Sequence, residues 1–252
     1  MRQGLNAAFV GLLGHASCRG ITAAAFTHER NAILNVVIIT GTTRTDGPPR
    51  PILGPRVATF VERELKQRGH EVHIVDPREL IDDVPLMTKP HFSYRESALP
   101  ESLRQLHLTL KNADAYVAIT PEYNHAPSPG LLNILNHFGS STFAFKPSAI
   151  VSYSAGQWGG TRAAHSLRPV LSELGCLPVS AMMHIPKVKD HFGEEGEVLG
   201  DEEEAKRWKK YAQRSLSQLE WWGEAAKQQK NLKDPFDESP PFASNPSQRN
   251  AP

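Results

Sequence analysis

Cysteine is scarce: Cys18 and Cys176 are the only two in 252 residues. A disulfide framework, a Cys-rich zinc site and a four-Cys iron–sulfur site are thereby excluded within one chain, and the composition suits a reducing compartment. Charge of one sign is not in excess either. The formal net charge is +1, which gives no electrostatic case for nucleic acid or for a polybasic membrane surface. No apolar run approaches the roughly 18–20 residues of a transmembrane helix, and no internal repeat is present. The length accommodates one sizeable α/β domain with extensions.

The extensions lie at both ends. In residues 1–34, Arg2, Arg19 and Arg30 face one acid, Glu29, amid Ala, Gly, Leu and Ser. That is the composition of a mitochondrial transit peptide; a disordered extension is the alternative. The expected location is cytoplasmic, or mitochondrial if 1–34 acts as a transit peptide. A charged helix is expected over 201–229, with Trp208, Tyr211, Leu216, Leu219 and Trp222 on or near one face. It reads either as a solvated helix with one packed stripe or as a dimer contact. From Lys230 to the end, Pro, Ser, Asn and charge dominate, and the tail over 230–252 reads as disordered.

Between these lies the domain, 35–200. Its centre is Tyr116–Gly130. The stretch begins as a short apolar, β-branched run of the kind found in buried parallel strands. It then turns polar, aromatic and Pro-rich through Pro121-Glu122-Tyr123-Asn124-His125. A helix follows, with Leu131, Leu132, Leu135 and Phe138 at helical spacing. Ser128 is a good N-cap for it, and Pro129 a good first residue.

The same strand–loop–helix plan recurs. Val36–Thr40 is the first strand; it runs into Gly41-Thr42-Thr43-Arg44 and then a helix marked by Val57, Phe60, Val61 and Leu65. Loop N–H groups, Thr hydroxyls and Arg44 or Arg56 form a phosphate site in outline, although neither a Walker loop nor G-x-G-x-x-G is present. As surface residues the two arginines would simply be solvated. Glu71–Asp76 is the second strand. The Pro-punctuated segment 77–100 is long enough to be a functional or mobile loop. Leu103, Leu106 and Leu110 mark the next helix. Ser148–Ser152 is the fourth strand and opens into the Gly-rich Ser154–Gly160. Trp158 in this loop either stacks on a ring or packs against a helix or subunit partner. The helix that follows contains Pro169, which predicts a kink or break. Leu177–Met183 is the fifth strand.

Five such units predict a doubly wound, three-layer α/β/α fold with a five-stranded parallel sheet in the flavodoxin-like order 2-1-3-4-5. The special residues follow the first, third and fourth strands, and the switch point between strands one and three would bring those loops to one crevice.

These residues resemble the NAD(P)H-dependent FMN reductases of the flavodoxin-like superfamily over about 35–183. The resemblance rests on Gly41-Thr42-Thr43-Arg44, on Pro121-Glu122-Tyr123-Asn124 followed by Pro129-Gly130, on Lys146-Pro147, and on Gly159-Gly160-Thr161-Arg162. Thr42 stands where Ser is usual, and Thr45–Pro51 lengthens the loop, leaving open which arginine meets phosphate. The resemblance implies a tightly bound FMN. Thr42, Thr43 and Arg44, with Arg56 as a second arginine, would hold its phosphate. Pro121, Glu122, Tyr123 and Asn124 would lie along the isoalloxazine, and Ser154, Ala155, Gly156 and Gly159 would close the other side. It further implies NADPH or NADH as reductant, a small-molecule acceptor (flavin, quinone, azo compound or metal ion), and a homodimer or homotetramer. Because the cofactor carries the chemistry, no catalytic acid, base or metal ligand is expected; Tyr123 and His125 are candidates to rim the acceptor site. The competing reading is a non-catalytic flavodoxin-like carrier or interaction protein, against which stand the near-neutral charge and the intact loops.

Overall fold

A computed structural model describes residues 32–48, 51–80, 82–84 and 86–243. The extension expected at 1–34 falls almost wholly outside the described residues, as do Arg50 and 244–252. The strands are β1 (Asn35–Thr40), β2 (Glu71–Val75), β3 (Ala115–Tyr123), β4 (Ala126–Pro127), β5 (Pro147–Tyr153), β6 (Leu177–Pro178) and β7 (Met183–Ile185). The helices are α1 (Gly54–Gln67), α2 (Glu101–Lys111), α3 (Pro129–Asn136), α4 (Ser140–Phe143), α5 (Thr161–Glu173), α6 (Val188–His191), α7 (Glu202–Leu232) and α8 (Pro235–Glu238).

The main path of the sheet is β2-β1-β3-β5-β6, all parallel, with β4 antiparallel to β3 and β7 parallel to β5. The unit order is the one expected; the strand count is seven among the described residues. Two causes raise it. Tyr123 runs on into a hairpin with β4, and the fifth strand is split into β6 and β7, both beside β5. The split falls at Pro178, which has no N–H to give a ladder. Side chains take over there. The Arg168 guanidinium donates to the carbonyls of Pro178, Val179 and Ser180, while Gln218 Oε1 accepts from the Ser180 and Ala181 N–H groups.

Strand side chains alternate between two cores. Val36, Ile38, Val117, Ile119 and Val151 meet α1 and α7 through Val57, Val61, Leu216 and Leu219. Val37, Ile39, Tyr116, Ala118 and Ile150 meet α2, α3 and α5 through Leu106, Leu131 and Leu167. Both faces of the sheet are therefore covered, as a parallel sheet requires. Ser128 caps α3 with its Oγ toward the Leu131 N–H at 3.4 Å. Asp201 caps α7 at Glu204 N, 2.9 Å.

Three expectations change. Helix α5 continues past Pro169 without a break; its buried face of Ala163, Ala164, Leu167 and Leu171 holds it on the sheet. The tail has defined structure to residue 243: α7 runs to Leu232, Asp234 caps α8 by accepting from Phe236 N at 2.9 Å, and Phe236 and Phe242 pack edge-on against Phe145. Segment 77–100 carries two short 3-10 turns and is tied down where Met87 N donates to Asn133 Oδ1 (2.8 Å) and His91 N to His137 O (2.7 Å). No helix among the described residues is long and apolar enough to cross a membrane.

Candidate functional site

The carboxyl ends of β1, β3 and β5 meet, and residues that follow or end them line one open cleft of about 210 Å³. The first segment gives Thr42, Arg44, Ile52 and Leu53; β3 gives Pro121, Glu122 and Tyr123; the β5 end gives Tyr153, Ser154 and Ala155. The register explains the meeting, since Pro121 lies opposite Tyr153 across the β3–β5 ladder.

Close approach of backbones builds the corner expected to hold phosphate. A Cβ on Gly130 would lie 2.8 Å from the Gly41 carbonyl oxygen and 2.6 Å from Thr43 Cγ2. One on Gly54 would lie 2.6 Å from Thr42 Cγ2 and 2.8 Å from the Tyr153 hydroxyl. The β1 loop is thus packed between the first turns of α1 and α3. Thr42 is buried, and its Oγ1 accepts from Arg44 N at 3.3 Å, curling the loop. Helix α1 starts there with no side-chain cap and no acid in its first turn. Its leading N–H groups and dipole face the loop without a competing carboxylate, which is the disposition of an anion site. Burial raises the pKa of the Tyr153 hydroxyl, with the Tyr123 phenol adding, although its hydrogen bond to Thr42 works the other way; it stays neutral.

Glu122 and Arg162 join two of the sequence motifs. The Glu122 carboxylate accepts from Arg162 Nη1 at 2.9 Å and from the backbone N–H groups of Arg162 (3.1 Å) and Ala163 (3.4 Å). Gly160 at the α5 N-cap has no side chain for this task, so a carboxylate from β3, the strand paired with β5, caps α5 instead. Burial works to raise the Glu122 pKa, but these donors together hold it below its ordinary value. Arg162 in turn lies over the Trp158 ring at 5.4 Å, and Trp158 is 62% exposed. Asn124 and His125, both at positive φ (50° and 64°), form the tip of the β3–β4 hairpin; Asn is among the residues that tolerate this conformation.

Not every expected residue reaches the cleft. Arg56 is turned away: Nη1 donates to the Phe192 carbonyl at 2.7 Å, and Nη2 pairs with Glu194 at 3.3 Å. Arg44 alone of the two lines the cleft. Thr43 lines a neighbouring depression with Pro77 and Gly130, and Asn124 another with Met87 and Asn133. Gly159 lies behind the wall, its N–H donating to Ser154 Oγ at 2.9 Å and its carbonyl accepting from Ser152 Oγ at 2.8 Å. Gly156 is exposed and does not line the cleft. Ile52, Leu53 and Tyr153 were not expected. Tyr153 had a signal, being the residue that ends an apolar strand just before a Gly-rich loop; Ile52 and Leu53 follow an unusually long connection and had none. Among the described residues no cluster of His, Cys, Asp and Glu suits a metal ion.

The sequence profile of the NADPH-dependent FMN reductases matches residues 34–190, which contain all three segments of the cleft. The chain belongs to that family. Family membership makes it an oxidoreductase that uses FMN and NAD(P)H and acts on small acceptors, and it sets aside the carrier reading. An NADPH azoreductase of Bacillus sp. (strain OY1-2) is 30% identical over 169 residues, covering 66% of this chain and 86% of the relative. A quinone reductase of Pseudomonas putida (strain KT2440) is 29% identical over 143 residues, 55% of this chain and 70% of the relative. In three dimensions the chain is similar to the Paracoccus denitrificans flavoenzyme NAD(P)H:(acceptor) oxidoreductase FerB, with a TM-score of 0.57 at 22% identity over 77% of this chain and 99% of the other. The similarity to FerB supports the fold alone. The reductase's own residues fit the cofactor: an acid-free, uncapped helix N-terminus, a buried Thr hydroxyl and an arginine meet a phosphate's needs, and the Pro121 and Tyr123 walls meet those of a flat ring.

Proposed function

We propose that this reductase transfers electrons from NAD(P)H to quinones or azo compounds, with Thr42, Arg44 and the first turn of α1 holding the FMN phosphate. Thr43 flanks that loop. Pro121 to Tyr123 and Ser154 to Ala155 form the two walls for the ring. The observation that carries this reading is the convergence of three strand ends on one cleft beside the uncapped α1 N-terminus. Support for the acceptor class comes from the azoreductase and quinone reductase names of the relatives. When bound, FMN supplies the hydride chemistry between NAD(P)H and the acceptor. This chain orients the flat partners and keeps water from one side of them. Glu122, held by Arg162 and the α5 N-terminus, keeps the β3 wall in place. Tyr123 and the hairpin tip at Asn124 and His125 rim the open side. Exposed Trp158 is a natural contact for a second copy, and a homodimer completes the proposal. The single free buried thiol among the described residues, Cys176, suits a cytoplasmic setting.

Purified protein mixed with FMN should quench flavin fluorescence to a one-to-one end point. The loaded protein should then bleach on mixing with NADPH or NADH and recover on adding a benzoquinone or an azo dye. No quenching would sink the site assignment; bleaching that neither acceptor reverses would sink the acceptor class. Light scattering on the loaded protein reads the oligomeric state.

A further inference from the structure

A second cleft of about 600 Å³ lies at the other end of β5. Pro147 lines it and begins the strand that Tyr153 ends, so it is about 20 Å from the cofactor cleft along the strand. It is not an extension of that site. Phe145 and Lys146 wall it ahead of β5, Leu177 at the start of β6, and Trp222, Ala226 and Lys230 from α7. The volume is that of a small-molecule site. Leu177 and Trp222 leave 46% and 42% of their surface exposed here.

The charges are unbalanced. Lysines 146, 230 and 233 face one lining acid, Glu238, which is paired with Lys233 at 3.1 Å. Lys146 Nζ is occupied by the carbonyls of Leu110, Lys111 and Thr142 and by the Tyr116 hydroxyl, all within 3.0 Å. Burial lowers the pKa of Lys230, while the charges of Asp114 and Asp234 work against that. Asp114 accepts from Lys227 Nζ (2.7 Å) and Asn35 N (2.8 Å), and Asp234 caps α8. Burial, with Lys230 adding, pushes Lys146 down to about 7. An anion placed between the two lysines would relieve that repulsion. Apolar and aromatic walls with a lysine at one side that makes no ion pair with the described residues select a ligand that is aromatic at one end and anionic at the other.

We propose that this cleft binds an aromatic carboxylate, its ring against Trp222 and Leu177 and its carboxylate at Lys230. The site is separate from the redox cleft, and its occupant does not exchange electrons with the cofactor.

Full-length, FMN-loaded protein titrated calorimetrically with 2-naphthoate and with its neutral isostere 2-naphthamide tests this. The carboxylate should bind at one site, about tenfold tighter than the amide, as a charge-assisted hydrogen bond provides. Ala226→Trp should abolish that binding by filling the cleft. Lys230→Glu should weaken it by at least about tenfold, with flavin absorbance and thermal midpoint unchanged in both variants. Should Ala226→Trp disturb folding, quenching of Trp222 emission by naphthoate, absent in Trp222→Phe, gives the same reading. Equal affinity for acid and amide overturns the proposal. So does naphthoate binding that survives both Ala226→Trp and Lys230→Glu, or naphthoate that expels FMN from the native protein.

Discussion

Glu122 serves two segments at once. It stands in the β3 wall of the cleft, and it caps α5, whose first residue is Thr161. Replacing it by Gln keeps an acceptor for the α5 N–H groups but removes the charge that Arg162 meets. Because Arg162 is substantially exposed, screening discounts the pair, and Glu122→Gln should cost about 1 kcal/mol in urea unfolding. The native carboxyl titrates below its ordinary value, so its contribution is complete above about pH 4.5 and is lost as the pH falls through the folded value. The variant should flatten that acid limb. Gly130→Ala sets two effects against each other: helix propensity favours Ala by about 1 kcal/mol, whereas overpacking against the Gly41 carbonyl costs about 1–3 kcal/mol. The contact is with backbone, so the cost should win, and FMN fluorescence titration should show weakened binding. At this scale the sequence was informative about type but not about direction. Thr42, Arg44, Pro121, Glu122 and Tyr123 follow from the motifs. Arg56 does not, because only the fold reveals that the segment before α7 offers it the Phe192 carbonyl and Glu194.

Among the elements, α2 and the 77–100 segment share a half-buried histidine contact. The rings of His91 and His107 are 4.1 Å apart, and His107 lies nearly parallel to Phe138. Burial, with His91 and two lysines adding, pushes His107 down to about 4. The unfolded chain protonates this group near 6.5 while the folded one does not, so stability falls as pH drops from about 6.5 to about 4 and is unaffected by this group above that range. Calorimetry should show a lower thermal midpoint at pH 5 than at pH 7, and His107→Phe should reduce the difference. Along α7, Leu219 is 1% exposed against the sheet; Leu219→Ala should cost about 2–5 kcal/mol by denaturant unfolding. The helices were legible because their apolar residues recur at helical spacing. The split of the fifth strand was only half legible: Pro178 stands in the sequence, but that Arg168 and Gln218 reach the backbone groups beyond it shows only in the fold. The α8 segment was likewise hidden, since composition rich in Pro and Ser says nothing of Phe236 and Phe242 finding Phe145.

Among the described residues the sheet has a cleft at each end, the proposed cofactor cleft at the carboxyl ends of the strands and the cationic cleft at their starts. The unit order and the three layers were legible because each strand–helix pair carries its own signal and parallel crossovers leave few topologies. The cationic cleft was not, because Lys146 and Lys230 are joined only by folding α7 back across the start of β5. One feature of the redox end bears on kinetics. The close approaches of Gly130 to the Gly41 carbonyl and of Gly54 to Thr42 are made wholly by the chain's own atoms. A corner packed from backbone in this way should need no rearrangement when the phosphate docks. In stopped-flow mixing of apoprotein with FMN, the observed association rate should climb linearly with flavin concentration, as for a preformed receptor; a plateau would mean that the corner assembles only on arrival of its guest.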